Sequence, residues 1–351
     1  ARATWVAASV AAGKIDDANA RLAAWLETEG DAGAREQVAA AAMRAMRDAG
    51  HASAAADLGA RYATAGFESA MEAAISLREA GRPAEAAAVL KALTGSTAED
   101  ERWRREMLAD ALVDADQLDE ADDVWASLDA GADATARFGR ARVARSKGDY
   151  ASALRLLEGS TDPRAPEERG LAYEGLGRWD DAAAAYEALA LESGAEMQTA
   201  GRVGQARVRL ALDDPPGALA ALAKLSLVDP GYTLTVAQIK AESLLAVGRV
   251  DEARDVYAAL DADAEQRTVR SLGLAECALA TDDAKAALSL FDQALRGSSD
   301  RFYQAHAIAG LARSWSELGN REKAQAELMR LRREYADHDD AIERATAVAG
   351  G

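Results

Sequence analysis

The segment Gly248-Arg-Val-Asp-Glu-Ala253 has the composition of a place where one helix stops and another starts. Glycine can adopt the left-handed backbone conformation that ends a helix. The acidic residues that follow suit the first turn of the next helix, where the helix dipole favours negative charge. Similar segments occur at residues 13–18, 81–86, 148–153, 177–182 and 319–324. This pattern predicts repeated helix-turn-helix units.

The alanine that closes this segment recurs ten times along the chain. The nine spacings are 37, 31, 35, 32, 29, 36, 35, 34 and 37 residues, with a mean of 34. A period of this length is typical of stacked helical repeats, and it argues against a single enclosed active site. The ten alanines are Ala18, Ala55, Ala86, Ala121, Ala153, Ala182, Ala218, Ala253, Ala287 and Ala324.

Apolar residues follow most of these alanines at helical spacing. Tyr257 and Leu260, for example, lie four and seven positions beyond Ala253. Offsets of 0, 4 and 7 place side chains on one face of a helix. The preceding helix has its own apolar face, which is clearest at Ile308 and Trp315 in the last repeat. Two amphipathic helices per unit, neither able to bury its face alone, predict a solenoid.

These features together resemble the tetratricopeptide repeat family over residues 1–331. Besides the turn glycine and the second-helix alanine, the family has a small residue late in each first helix. That residue is found here as Ala74, Ala109, Ala141, Gly170, Ala206, Ala241, Ala275 and Ala312. Pro230 stands where the family places a proline that closes a repeat, and the other repeats lack it. The resemblance implies an all-α, right-handed superhelical α-solenoid of about ten helix-turn-helix repeats.

The domain organisation follows from the same repeats. We expect one repeat array at residues 1–331 and a C-terminal cap at residues 332–351, with a capping helix from Ala341 to about Val348. A polar lid on the final repeat is the expected role of that helix. Because the chain begins at Ala1 without methionine, we expect that a leader or an upstream domain has been removed.

Composition limits the classes of partner. With 41 basic and 59 acidic residues the net charge is −18, which argues against general nucleic-acid binding and adhesion to anionic membranes. Charged residues interrupt the helices too often for direct membrane insertion, which needs about 20 consecutive apolar residues. The excess of arginine over lysine, 34 to 7, suggests a GC-rich bacterial genome. We expect a soluble protein of the bacterial cytoplasm or periplasm, and the sequence does not choose between them.

The sequence contains no recognisable catalytic constellation. The histidines His51, His306 and His338 lie far apart, without a second histidine or cysteine at metal-ligand spacing. There is no HExxH motif, phosphate-binding glycine loop or nucleophile elbow. Paired carboxylates such as Asp180-Asp181 lie at helix starts, which favours capping over acid–base chemistry. We therefore expect no catalytic residue, no metal site and no cofactor.

The first helices provide the candidate binding surface. In the family that this chain resembles, they line a concave face that usually holds a partner segment. Residues 18, 15, 11 and 8 positions before each second-helix alanine share the face opposite the repeat core. The candidate residues at these positions are Arg44, Arg47, Arg78, Arg142, Arg145, Arg207 and Arg313, with the aromatic residues Trp103 and Phe138.

These arginines have two interpretations. They could form a positive groove that selects an acidic segment or a free carboxy-terminus, with Trp103 and Phe138 as apolar anchors. Alternatively, each arginine could pair with an acidic residue of the adjoining repeat, and Asp110, Glu242 and Glu276 occupy equivalent positions in other repeats. The function we expect is a non-catalytic protein-interaction scaffold or adaptor. The alternative is a sensory or substrate-recruiting region of a larger signalling enzyme, whose catalytic domain is not in this chain.

Overall fold

A computed structural model describes residues 5–129 and 133–349, apart from residues 7, 10, 11 and 13. Within these ranges the chain forms twenty α-helices and two 3₁₀ turns, and it has no strand. The helices group into two compact units, Ala1–Leu176 and Gly177–Gly351. We call them the N-terminal unit and the C-terminal unit. The expected all-α stack of helix-turn-helix repeats is confirmed.

The N-terminal unit contains ten of these helices. From the second helix onward, each helix packs against the next along the unit, and first helices of successive repeats also contact one another. The bounds are α1 Ile15–Thr28, α2 Ala32–Asp48, α3 Ala52–Tyr62, α4 Phe67–Glu79, α5 Pro83–Ala92, α6 Ala98–Asp114, α7 Leu118–Leu128, α8 Ala134–Ser146, α9 Tyr150–Leu156 and α10 Ala165–Gly175.

The C-terminal unit repeats this arrangement, and its last helix, α20, packs against both α18 and α19. The bounds are α11 Trp179–Ala190, α12 Ala195–Ala211, α13 Pro215–Leu222, α14 Thr233–Ala246, α15 Val250–Ala258, α16 Ala264–Leu279, α17 Ala284–Gly297, α18 Arg301–Glu317, α19 Arg321–Glu334 and α20 Asp339–Ala349. Helix α20 begins two residues before the expected cap helix, and the division into array and cap stays a prediction.

The ten repeat alanines occupy one structural position. Each is the fourth residue of a second helix, and each is only 0–1% exposed. The backbone N–H of each alanine also donates to the carbonyl of the residue just before its helix, as from Ala253 to Arg249 at 3.1 Å. A larger side chain would clash at this position because neighbouring helices cross closely there.

In nine of the ten turns before second helices, one residue lies in the left-handed region. Glycine provides it at Gly50, Gly81, Gly148, Gly177, Gly248 and Gly319, as the sequence predicts for most of them. Gly13 lies outside the described residues. In three other turns an aspartate adopts the same conformation, with φ of 58° at Asp116, 56° at Asp213 and 60° at Asp282. Aspartate tolerates this region better than most residues because its short side chain can hydrogen-bond locally.

Aromatic residues of second helices pack directly on glycines of the following repeat. A Cβ added to these glycines would lie only 2.2–2.3 Å from the nearest ring atom. The pairs are Trp125–Gly139, Tyr186–Gly204, Tyr257–Gly273 and Phe291–Gly310. Where leucine replaces the aromatic residue, as at Leu90 and Leu222, the next repeat has Met107 or Ile239 at the equivalent position. A large side chain on the second helix therefore meets a glycine in the following repeat, and a smaller one meets a larger residue, as close packing requires.

Candidate functional site

The first arginine cluster joins helices α2 and α4 of the N-terminal unit. Both oxygens of Glu72 accept hydrogen bonds, at 2.5 Å from Arg44 and at 2.5 Å from Arg47. Arg47 also donates to Glu79 at 3.0 Å. The hydrogen bond that Arg44 donates to Glu72 raises the pKa of the Arg44 guanidinium. Because the Glu72 side chain is only 7% exposed, this carboxylate depends on its two arginines for charge compensation.

A second cluster continues through helices α4, α6, α8 and α10. Arg78 donates to Asp114 at 2.7 Å, and Arg142 donates to Asp110 at 2.7 Å. Arg145 donates to Glu168 of α10 at 2.6 Å. Each of these ion pairs joins the first helices of adjacent repeats. We call this set, together with Arg44, Arg47 and their carboxylates, the first-helix ion-pair network.

The two candidate arginines of the C-terminal unit also have partners within the chain. Arg313 of α18 donates to both carboxylate oxygens of Glu276 on α16, at 2.8 and 3.0 Å. Arg207 donates to the hydroxyl of Tyr186 at 2.9 Å, and its guanidinium lies 5.7 Å from the centre of that ring. The seven arginines thus have intrachain partners. These contacts do not test binding of a partner, so that role stays a prediction.

The two candidate aromatic residues lie near each other but differ in exposure. Trp103 is 42% exposed, and its ring centre lies 6.0 Å from that of Phe67. Phe138 is only 5% exposed, so the expectation that it is an exposed anchor is wrong. The guanidinium of Arg164 covers the Phe138 ring at 4.3 Å, and this contact explains the difference. Trp103, Phe138, Arg142 and Arg164 line a small pocket of about 220 Å³.

The C-terminal unit contains a larger cavity of about 550 Å³, which we call the C-terminal cavity. The first helices α14, α16 and α18 supply most of its wall, and α20 supplies Asp340 and Arg344. Apolar and aromatic side chains dominate the lining, among them Leu245, Phe302 and Tyr303. The volume falls within the range of about 300–1,000 Å³ that is typical of ligand sites.

Most charged groups in the C-terminal cavity are already paired. Glu276 accepts from Arg313, and the Nε2 atom of His306 lies 2.9 Å from a carboxylate oxygen of Asp340. Glu242 and Arg344 are different, because neither has a hydrogen bond or an ion pair with any residue that the structure describes. The surrounding protein raises the pKa of the Glu242 carboxyl by desolvation, Arg344 opposes that shift, and Glu276 adds to it.

Comparison with known proteins supports the fold. In the APC/C hetero-tetramer Cut9-Hcn1, a chain matches 94% of this chain at 15% identity, with a TM-score of 0.51. The fold is that of a tetratricopeptide repeat protein. The matched part is 65% of that chain. A tetratricopeptide repeat protein from Parabacteroides merdae ATCC 43184 matches 68% of this chain and 96% of its own, at 17% identity and a TM-score of 0.45. No family model and no curated protein matches the sequence.

In this tetratricopeptide repeat fold, the structure brings together only part of the predicted surface. Arg142 and Arg145 belong to one cluster with Trp103 nearby, whereas Arg207 and Arg313 belong to the C-terminal unit. Arg164 could not be recognised from the repeat pattern, because it precedes α10 in an irregular segment. Glu242 lies at the repeat position where other first helices have arginine. This difference was the one feature of the sequence that could have pointed to the C-terminal cavity.

Among the residues that the structure describes, neither a metal site nor a membrane-spanning helix is present. No group of three or more histidine, cysteine, aspartate or glutamate side chains among them is arranged to hold a metal ion. None of their helices combines the length and apolarity that a bilayer crossing requires. The single cysteine, Cys277, is buried, and desolvation raises the pKa of its thiol.

Proposed function

We propose that this chain is a non-catalytic protein-interaction scaffold that holds a segment of a partner protein against its first helices. The observation that supports this best is the exposed Trp103 beside Phe67, above a small pocket and next to the first-helix ion-pair network. An exposed tryptophan near arginines is a frequent arrangement in binding hot spots.

The chemistry of the partner in the N-terminal unit follows from the same contacts. An acidic segment or a free carboxy-terminus would have to share Arg142 with Asp110, and Arg145 with Glu168. This competition reduces the binding free energy that ion pairs with the partner would contribute, because the arginines already have hydrogen-bonded carboxylates. Apolar contact at Trp103 is therefore the larger contribution in this proposal, and acidic groups add selectivity.

Capture of partners on the immobilised full chain tests this proposal. We would compare the wild type with Trp103→Ala in a lysate of the source organism and identify retained proteins by mass spectrometry. Met329→Ala is the matched control, because Met329 is 71% exposed on a second helix. We expect a partner that the wild type and the control retain and that Trp103→Ala loses, with unchanged circular dichroism.

Two outcomes would contradict the proposal. Equal retention by the three proteins would mean that the surface around Trp103 does not bind the partner. Absence of any specific partner would argue against a scaffold. We avoid Arg142→Glu as a test, because it would place a third carboxylate beside Asp110 and Glu168 and would destabilise the unit whatever its function.

A further inference from the structure

We infer that the C-terminal cavity binds a lysine or arginine side chain of a partner polypeptide, next to an apolar residue of the same segment, with Glu242 as its ion-pair partner. This inference rests on the proposed function, because it names the chemistry of one segment that the scaffold would hold. It concerns the C-terminal unit alone and does not depend on Trp103.

The composition of the cavity wall favours a segment that is both apolar and charged. Phe302 is 48% exposed, and its ring lies 4.2 Å from the His306 ring and 5.5 Å from the Tyr303 ring, in both cases between centres. Tyr257 and Leu245 extend the apolar lining. An apolar side chain can pack against these groups, and a cation near the exposed ring would gain a cation–π interaction.

The pairing of the other carboxylates makes Glu242 the acidic group of the cavity that a cationic ligand can pair with. Glu276 and Asp340 already have Arg313 and His306 as partners. Arg344 attracts Glu242 electrostatically but forms no ion pair with it within 4.0 Å. Glu242 is exposed on the cavity wall and has no partner there, so an incoming ammonium or guanidinium group can reach its carboxylate and form a charge-assisted hydrogen bond with it.

The raised pKa of Glu242 supports this argument from a second direction. The neighbouring protein disfavours the ionised carboxyl, but Glu242 is exposed to water, so the resulting loss of stability at neutral pH is small. The isosteric change Glu242→Gln should therefore leave stability unchanged or increase it. If Glu242 binds a ligand, Glu242→Gln should lose binding and keep its stability. If Glu242 has only a structural role, the change should lower stability.

Selection from a random peptide library gives the first test. A displayed library of twelve-residue peptides would be selected on the full chain as wild type, as Glu242→Gln and as Glu322→Gln. Glu322 is an exposed glutamate at the start of α19, outside the cavity, and serves as the matched control. We expect the wild type and the control to enrich peptides with lysine or arginine next to an apolar residue. The Glu242→Gln protein should not enrich them.

Measured affinities then test the pairing itself. An enriched peptide, labelled with fluorescein, would be titrated by fluorescence anisotropy. A hydrogen-bonded ion pair is worth about 1.5–3 kcal/mol, so Glu242→Gln should weaken binding by about ten-fold or more. Replacing the peptide's basic residue with glutamine should have a similar effect, and combining the two changes should add little. Removing the competing cation by Arg344→Gln should strengthen binding a few-fold.

The contrary results separate this inference from the proposed function. Enrichment of peptides without a basic residue would contradict the cation site. Equal binding of a basic peptide by wild type and Glu242→Gln would contradict it as well. Neither result would contradict the proposed scaffold function. Additive effects of the protein and peptide changes would overturn the direct pairing. No enrichment on any of the three proteins would count against both the cavity and the scaffold.

Discussion

Replacing Gly310 with alanine should destabilise the C-terminal unit, because the new methyl group would collide with Phe291. The added Cβ would lie 2.3 Å from two atoms of the ring, whereas an ordinary contact is 3.4–4 Å. The ring is only 1% exposed and cannot move into solvent. Overpacking of this kind costs about 1–3 kcal/mol, and the higher helix propensity of alanine returns up to about 1 kcal/mol. Because the clash is severe, we expect a cost in the upper part of that range and a net loss of about 1–2 kcal/mol.

Urea unfolding followed by far-ultraviolet circular dichroism would measure this loss. Gly297→Ala is the matched control, since an added Cβ there meets only the Thr268 hydroxyl, at 3.9 Å. It should be neutral or slightly stabilising. The change Phe291→Leu shortens the clashing side chain, so it should recover about 1 kcal/mol or more in the Gly310→Ala background. Strictly additive effects, or a Gly310→Ala protein as stable as the Gly297→Ala control, would refute the proposed packing.

The turns and the ion pairs lead to four further predictions. Asp282→Gly should raise the free energy of unfolding by about 1 kcal/mol, because Asp282 has φ of 60°, a conformation that glycine adopts more easily. Asp283→Ala should lower it by about 1 kcal/mol, because the Asp283 side chain caps α17. Differential scanning calorimetry would measure both changes. Glu72→Gln should cost about 2–3 kcal/mol in urea unfolding, since it leaves two guanidinium groups without their shared carboxylate. Glu101 has its pKa lowered to about 2, chiefly by a hydrogen bond from Arg104. Its contribution to stability should therefore be present above the unfolded pKa of about 4.3 and lost as the pH falls towards 2, so the stability gap between wild type and Glu101→Gln should close in that range.

The repeat pattern could be predicted from the sequence because the features that produce it are local. A buried alanine at the fourth position of a helix, a left-handed residue before it and apolar offsets of four and seven all arise within a few residues of one another. Ala253, Gly248 and Tyr257 therefore have the burial and conformation that their spacing predicts. Asp116, Asp213 and Asp282 were harder to recognise, because aspartate at a turn also fits a capping role.

The candidate binding surface could be predicted only in part from the sequence. The positions of the arginines on the first helices could be predicted from helical spacing. The alternative that each pairs with an acidic residue of the adjoining repeat agrees with the contacts of six of the seven, whereas Arg207 donates to the Tyr186 hydroxyl. The identity of each partner could not be predicted, since Glu72 and Glu168 lie at a different repeat position from Asp110. The burial of Phe138 depends on Arg164, which comes from a segment without a repeat pattern.

The sequence by itself determined the helical repeat, its period and the small residues at the helix crossings, because periodic burial leaves a periodic signal in composition. Only the tertiary structure decided which charges compensate one another and which do not. Arg142 is paired and Glu242 is not, although both take the same position in their repeats. That difference depends on distances between side chains of separate helices, and such distances arise only when the helices have packed.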